Sequence, residues 1–287
     1  MQILVNGLIH GGVYALLAVG FSLIFGVARI INLTYTALYM VAAFIIYALS
    51  QIAGLNPLLS IIVTVILVSF LGMFSYQIFI HPIREHATTV LITTVAMAMI
   101  FQELLLIFFG GHFRGLPSLV SGYYVLMGVR VPNQYFLTFI VVLIILGAVW
   151  LLLMKTKLGI AIRSVALDRE VANLVGMNTS RIASITMLIT SFMAAVAGVI
   201  VAPIFTIEPH MWLQPIVIIL AIVVMGGLGS IKGSFIAAFI IAFAEISVVF
   251  LVPMGSFLKG AVSLTVMIIV LLIKPEGLFG VTFEGER

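Results

Sequence analysis

Two carboxylates stand inside long apolar stretches of the sequence, where a charge is costly. Glu103 and Glu245 are the only acidic residues within segments long and apolar enough to cross a membrane. A charge at the centre of a bilayer costs ~2.5–3.5 kcal/mol on insertion scales, so an intramembrane carboxylate is a candidate functional group. Such a group could face a wet cavity, bind a substrate ammonium group or relay protons. The alternative is a hydrogen-bonded or protonated structural residue, since Gln102 stands beside Glu103.

A second polar group stands near the start of the first apolar stretch. His10 is accompanied by Asn6 and Tyr14, at spacings of about one helical turn. A lone histidine without a second ligand nearby does not indicate a metal site. We therefore predict neither a metal site nor a catalytic site. The pathway candidates so far are Asn6, His10, Tyr14, Gln102, Glu103 and Glu245.

The most charged segment, residues 155–181, contains the signals of a short helix. Asp168 can cap its N-terminus, Glu170 falls in its first turn, and Gly176 can end it. The helix would carry one apolar stripe, formed by Val171, Leu174 and Val175. That stripe could enter a groove on a partner protein, or the helix could lie flat on the membrane surface. The residues alone leave both interpretations open.

The composition places all these residues in a membrane protein. Of 287 residues, 64% are hydrophobic and 8% are charged, whereas soluble domains have roughly 45–50% and 25%. A water-soluble globule could not cover its surface with so few charges, which excludes a soluble enzyme, a disordered chain and a nucleic-acid-binding protein. The chain has no cysteine, so disulfides, thiolate-held metal clusters and thiol nucleophiles are excluded as well.

The apolar stretches predict an all-α, polytopic helical membrane protein with a single transmembrane domain over residues 1–287. A helix crosses a hydrocarbon core of about 30 Å with ~20 apolar residues. We predict about nine spans (eight to ten), at about 7–28, 35–53, 57–80, 88–109, 135–154, 182–206, 212–231, 233–251 and 256–273. The glycine-rich first span, or a span next to Gly226–Gly233, could be broken or re-entrant.

Basic residues are distributed unequally between the two sets of loops. With the N-terminus outside, three of them lie outside, namely Arg114, Arg130 and Lys259. The other ten lie inside: Arg29, Arg84, Lys155, Lys157, Arg163, Arg169, Arg181, Lys232, Lys274 and Arg287. Cytoplasmic loops carry such an excess, so we predict an N-out, C-in orientation.

Charged residues of the outer segments are candidates for docking a soluble partner, because charge pairs orient transient encounters. Two of them lie in the turn-rich external loop at about 110–134. The candidates are Arg114, Arg130, Glu208 and His210. Ordinary solvated loop charges are the alternative.

The inner loop resembles a known family. Glu170-Val-Ala172-x-x-x-Gly176 resembles the E-A-A-x-x-x-G signature of permease subunits in bacterial ABC importers. The wider run over 159–170 is similar to the LivH/LivM family of branched-chain amino acid permeases, nearer to the LivH branch. Three further segments are similar in the same order, namely 6–16, 226–233 and 274–280. The similarity covers nearly the whole chain, although the Ile-x-Leu-Pro that continues the usual signature is absent.

The resemblance implies a LivH-type permease subunit of a high-affinity branched-chain amino acid ABC transporter, with an ABC importer permease fold, in the bacterial inner membrane. A second, LivM-like permease subunit would complete the pathway. Two cytoplasmic ATPase subunits, LivG- and LivF-like, would grip the inner loops, and a periplasmic binding protein would deliver the solute. The coupling loop at about 155–181 would then act through Arg163, Asp168, Arg169, Glu170, Ala172, Leu174, Val175 and Gly176.

No cofactor is expected in this chain, because ATP and Mg²⁺ would bind to the partner ATPases. The glycine-rich segment 226–234 contains a lysine, but there the lysine precedes a glycine, whereas a phosphate-binding loop needs Gly-Lys-Ser/Thr. Close packing at a helix end is the simpler interpretation of these glycines. The chain is thus expected to be a transport subunit and not an enzyme by itself.

The sequence departs from the family after Asn32, where the family usually has a His-Gly pair and this chain has Leu33-Thr34. If that helix lines the pathway, the change bears on the substrate, so Asn32 and Thr34 are further pathway candidates. The substrate could be a branched-chain or other hydrophobic amino acid, or urea, an amide or an aromatic acid. A proton-coupled secondary transporter using Glu103 and Glu245, and a channel-like facilitator, are the rival functions.

Overall fold

The computed structural model describes residues 2–126 and 129–280. Over these residues the chain forms eleven α-helices and one antiparallel hairpin, β1 (Tyr123–Leu126) and β2 (Val129–Pro132). The helices are α1 (Gln2–Ala28), α2 (Thr34–Tyr47), α3 (Pro57–Ser75), α4 (Ala87–Phe109), α5 (Asn133–Lys155), α6 (Lys157–Leu167), α7 (Arg169–Leu174), α8 (Thr179–Val201), α9 (Leu213–Gly226), α10 (Ile231–Leu251) and α11 (Lys259–Ile273).

Eight helical segments within the described residues are long and apolar enough to cross a membrane. A π-helical stretch extends α2, and a π-helical stretch followed by a 3₁₀ turn extends α3, so that these spans cover Thr34–Ile52 and Pro57–Ile83. The eight coincide with eight of the nine predicted spans. The remaining one, predicted at about 212–231, is α9, which has only 14 residues and is therefore about 21 Å long.

The short span α9 ends where the glycine-rich segment begins. Gly227 has a φ of 98°, which stops the helix, and the Ser230 hydroxyl accepts a hydrogen bond from Gly233 N (3.1 Å) to start α10. A Cβ on Gly226 would lie 2.5 Å from the carbonyl carbon of Gly233. These glycines therefore let two backbones approach closely, as small residues do between membrane helices.

The segments predicted to lie on one side of the membrane meet on that side. At the inner end, Arg29 Nη2 donates to the carbonyl of Ala166 (3.1 Å), and Gly26 lies against Gly229. At the outer end, one cavity joins the start of α1 to the start of α11. The eight spans and the shorter α9 agree with the prediction of about nine spans (eight to ten) and with the N-out, C-in orientation. Arg287, which was counted among the inner basic residues, lies outside the described residues.

The core is organised around α1, which packs against α10, α8, α5 and α9. Gly7 and Gly11 lie under the rings of Phe243 and Phe239, so α1 and α10 approach closely. In contrast, one face each of α3, α4, α5 and α11 is exposed and apolar. Those faces are available to lipid or to another membrane subunit.

A C-terminal hook, residues Lys274–Gly280, folds back onto the end of α9. The backbone amide of Leu278 donates to the carbonyl of Met225 (2.8 Å), and that of Phe279 donates to the carbonyl of Gly226 (3.1 Å). The last carbonyls of a helix have no partner within that helix. The hook therefore completes the hydrogen bonding of α9 at its inner end.

Candidate functional site

The helix predicted after Asp168 is present as α7. The Asp168 carboxylate accepts hydrogen bonds from the amides of Glu170 (2.9 Å) and Val171 (3.0 Å), which is an N-cap. Gly176 has a φ of 83°, a left-handed conformation that favours glycine after a helix. Both boundaries thus follow from the side chains that the sequence places there.

The apolar stripe of α7 is exposed. Ala172 is the buried residue of the helix (3% exposed) and packs inward. The exposed side chains here are Leu167 at the end of α6 (85% exposed), Val171 (53%) and Leu174 (86%) of α7, and Val175 just after it (68%). We call these four residues the coupling patch. Large aliphatic side chains exposed close together in sequence mark an interaction surface.

A second helix, α6, supports the coupling patch, and the sequence did not predict it. Thr156 caps α6 by accepting a hydrogen bond from Gly159 N (3.0 Å). Gly159 lies directly against the backbone of Leu152 and Leu153 at the end of α5, where a side chain would collide. The outer face of α6 carries Arg163, which is exposed. The signal for α6 was present in Thr156 and in the spacing of buried Ile162 and Val165.

One hydrogen bond joins α7 to a membrane helix. The Thr179 hydroxyl, at the start of α8, donates to Asn173 Oδ1 (2.8 Å). Arg169 faces the inner end of the third span: partial burial, and then the positive charge of Arg84, lower the pKa of its guanidinium. A displacement of α7 is therefore transmitted to α8.

An inner cavity of about 440 Å³ lies beside α6. Its walls come from α1 (Ser22 and Gly26), α6, the turn between α9 and α10, and Phe279 of the hook. The sequence segments that carry the family resemblance on the inner side thus meet around one space. The glycine motif and the hook are parts of the wall that α6 contacts.

Of the two intramembrane carboxylates, Glu245 is buried and fully engaged. It is 1% exposed, accepts a hydrogen bond from the Tyr14 hydroxyl (2.9 Å) and accepts another from the Ser263 hydroxyl. These three side chains come from α10, α1 and α11 and tie those helices together. Two donors on a buried carboxylate satisfy much of its hydrogen-bonding capacity.

Glu103 lies elsewhere, on an exposed part of α4. Its carboxylate accepts a hydrogen bond from Gln102 Nε2 (3.2 Å), and Gln102 Oε1 accepts one from the indole of buried Trp212 (2.8 Å). Gln102 therefore connects α4 to the start of α9. The structure does not bring Glu103 and Glu245 into one cluster.

The remaining pathway candidates fall in three places. His10 stacks edge-on against Tyr14 and Phe205, with ring centroids 6.1 and 5.4 Å away. Asn6 donates to the backbone of Gln2 one turn earlier (2.9 Å). Asn32 and Thr34 are buried near the inner end of α2, where they hold a turn and contact α8 and α4.

An outer cavity of about 280 Å³ collects several of these residues. Its lining includes His10 and Tyr14 from α1, Glu208 and His210 from the segment before α9, and Lys259 from α11. Two residues predicted for binding-protein docking thus share a cavity with two predicted for the solute pathway. The sequence reasoning missed Lys259 as a site residue, since only the fold brings α11 next to α1.

The other two docking candidates differ in their surroundings. Arg114 donates to the Tyr47 hydroxyl (2.9 Å) and to the carbonyl of Phe109 (2.5 Å), and its backbone pairs with Ile207. It holds the external loop against the helix ends. Arg130 is exposed on the hairpin, with its guanidinium over the Tyr123 ring at 5.2 Å.

Comparisons with known proteins agree with the resemblance. A family model described as "Branched-chain amino acid transport system / permease component" matches residues 3–271. The chain is 29% identical to the high-affinity branched-chain amino acid transport system permease protein BraD of Pseudomonas aeruginosa, and 27% identical to the corresponding LivH of Escherichia coli K12. Each match covers 98% of this chain and 95% of the relative.

A solved structure has the same fold. A chain of PsaBC from Streptococcus pneumoniae in complex with Fab superposes with a TM-score of 0.54 and 15% sequence identity. The match covers 96% of this chain and 93% of that one. At this identity the likeness concerns the arrangement of the helices.

Proposed function

Because this chain belongs to the family of permease components of branched-chain amino acid transport systems, we propose that its coupling patch receives an ATPase subunit that drives solute import. The protein is a membrane-spanning permease subunit of an ABC importer, a multi-pass protein of the bacterial inner membrane. Family membership does not favour the rival functions of a proton-coupled transporter or a channel-like facilitator.

The exposed coupling patch is the single observation that carries this proposal. Leu167 and Leu174 are each about as exposed as a free side chain (85% and 86%). They stand on the inner side, Leu167 at the end of α6 and Leu174 at the end of α7, which is capped and joined to α8. An apolar helix face presented in this way fits a groove on a partner protein.

A protein partner explains α7 better than a membrane surface does. Helices that lie in a membrane interface are rich in lysine and arginine on the polar face, since the inner leaflet is anionic. The six residues of α7 include one arginine and one glutamate, and Asp168 precedes them. This lack of net positive charge gives the helix no electrostatic attraction to lipid headgroups.

The coupling patch suggests a role for each subunit of the transporter. Two ATPase subunits bind ATP and Mg²⁺ and close on each other, so that the ATPase sites lie on those subunits. Their closure displaces α7 with the rest of the coupling segment: Arg163, Asp168, Arg169, Glu170, Ala172, Leu174, Val175 and Gly176. The contacts with α8 and α1 transmit that displacement to the spans. A second related permease chain completes the membrane part, and a periplasmic binding protein delivers the solute.

The substrate class we propose is a branched-chain or other hydrophobic amino acid. The relatives named above are permeases of branched-chain amino acid transport systems. The outer cavity combines charged groups with apolar walls, as a small amphipathic solute requires.

Purification and reconstitution test the proposal. The permease, co-expressed with the neighbouring transporter genes, should be recovered in mild detergent with two ATPases, and the complex in proteoliposomes should take up leucine only with ATP inside and the binding protein outside. Glu170→Lys and Gly176→Asp should uncouple ATP hydrolysis from uptake while leaving the protein in the membrane. Glu276→Lys, at another exposed inner glutamate, is the matched control. Full coupling in both coupling-helix variants would refute the role of α7.

A further inference from the structure

The outer cavity changes in polarity with depth. On α1, His10 lies nearest the mouth and Leu17 lies deepest, and a rise of 1.5 Å per residue separates them by roughly 10 Å. On α9, Gln214 lies nearer the mouth and Ile218 lies one turn below it. The mouth therefore carries more polar side chains than the floor, where Tyr39 joins the aliphatic Leu17 and Ile218.

The mouth also carries one fixed charge of each sign. Lys259 begins α11 on one wall, and Glu208 stands in the segment that leads into α9 on another. Both side chains are partly buried, which strengthens their interactions with a bound ion relative to those in bulk water. A cavity with this pair at its mouth is complementary to a solute that has both an anionic and a cationic group.

From this layering we infer that the outer cavity binds an apolar α-amino acid as its zwitterion. Its carboxylate lies at Lys259, its ammonium group at Glu208, and its side chain points inward towards Leu17 and Ile218. The inference rests on the proposed function and adds a binding site and an orientation to it. An amine or a carboxylic acid of the same shape would leave one of the two charged groups in the mouth without a partner.

The hydrogen-bonded cluster of Glu245, Tyr14 and Ser263 positions residues of this site. Tyr14 lines the cavity, and its hydroxyl is fixed by Glu245 (2.9 Å). Ser263 bonds to the same carboxylate, and its hydroxyl oxygen lies 3.2 Å from the carbonyl oxygen of Lys259, one turn away on α11. The cluster thereby holds the start of α11, and with it Lys259, against α1. Glu245 is a positioning residue here and does not contact the solute.

Equilibrium binding of radiolabelled leucine to the full transporter complex in nanodiscs, without binding protein or ATP, tests the site. Unlabelled leucine should compete at least tenfold better than 3-methylbutan-1-amine, which lacks the carboxylate, and 4-methylpentanoate, which lacks the ammonium group. Lys259→Met and Glu208→Gln should each weaken leucine binding about tenfold or more, because each removes a charge-assisted hydrogen bond. Glu276→Gln, on the opposite side of the membrane, is the control and should bind as the unmodified protein does.

The variants should also change selectivity in opposite ways. Lys259→Met should reduce the difference in affinity between leucine and 3-methylbutan-1-amine. Glu208→Gln should reduce the difference in affinity between leucine and 4-methylpentanoate. Competition by the amine or the acid equal to that by leucine, or leucine binding within twofold of normal in both variants, would overturn the inference.

Two further measurements separate the possible failures. The proposed function fails if the unmodified complex shows no ATP-dependent leucine uptake, and the site alone fails if uptake is normal but the binding results above are not obtained. The affinity of the binding protein for the complex is measured in parallel. A Glu208→Gln variant that loses this affinity and retains leucine binding would assign Glu208 to docking and overturn its place in the site.

Discussion

Truncation of Leu174 to alanine should weaken the docking of the ATPase subunits without weakening the permease itself. The side chain is 86% exposed in this chain, so its removal leaves no cavity in the fold. Docking would bury it. The three carbon atoms that alanine lacks are worth about 0.8 kcal/mol each when transferred out of water, and most of that surface is free to be buried. The loss is therefore about 2 kcal/mol, or about thirtyfold in the dissociation constant.

Titration of purified ATPase subunits onto the permease in nanodiscs measures this constant directly. Leu272→Ala is a matched control, since Leu272 is 81% exposed near the inner end of α11 and lies outside the coupling patch. Leu167→Ala should behave like Leu174→Ala. Dissociation constants within twofold of normal for both patch variants would show that the patch does not contact the ATPases.

Three other substitutions test the elements around the site. Asp168→Ala removes the N-cap of α7 and should destabilise that helix by about 1 kcal/mol, which is measured as faster amide hydrogen exchange over residues 169–175. Asp168→Asn keeps a capping oxygen and should retain slow exchange. Equal exchange rates in the unmodified protein and both variants would refute the role of Asp168 as a cap. Gly277→Ala should lower the melting temperature, because Gly277 has a φ of 81° and a Cβ there would lie 2.7 Å from Gly227 N. Gly260→Ala, which has open space around it, should not lower it. Equal melting temperatures for the two variants would contradict the packing of the hook. Tyr14→Phe leaves Glu245 with one donor fewer and should cost about 1 kcal/mol of stability, measured as a lower melting temperature; an unchanged value would mean that the bond is weak.

Local signals in the sequence were sufficient to predict α7. Asp168 and Gly176 act through bonds and dihedral angles within a few residues of themselves, so their effect does not depend on distant packing. The long spans were predictable for a similar reason, because the bilayer determines their length and apolarity, whichever residues pack against them.

Features that depend on distant contacts were not predictable. Residues 227–230 are compatible with a helix end or a continuous span, and the boundary at Gly226 is set by backbone contacts with Gly233 and with the hook. The same holds for Lys259, which looked like an isolated outer charge until the fold placed it beside α1. The role of Glu103 likewise depends on what covers the exposed part of α4, which lies outside this chain.

The hook gives the chain a particular order of assembly during biosynthesis. The carbonyls of Met225 and Gly226 reach the membrane about fifty residues before Leu278 and Phe279 are synthesised, and until then they have neither a helical partner nor the hook amides. The inner end of α9 therefore acquires these last hydrogen bonds only after α10 and α11 have been made. A chain that stops before the hook has nearly all its spans but lacks the part of the inner cavity wall that Phe279 forms.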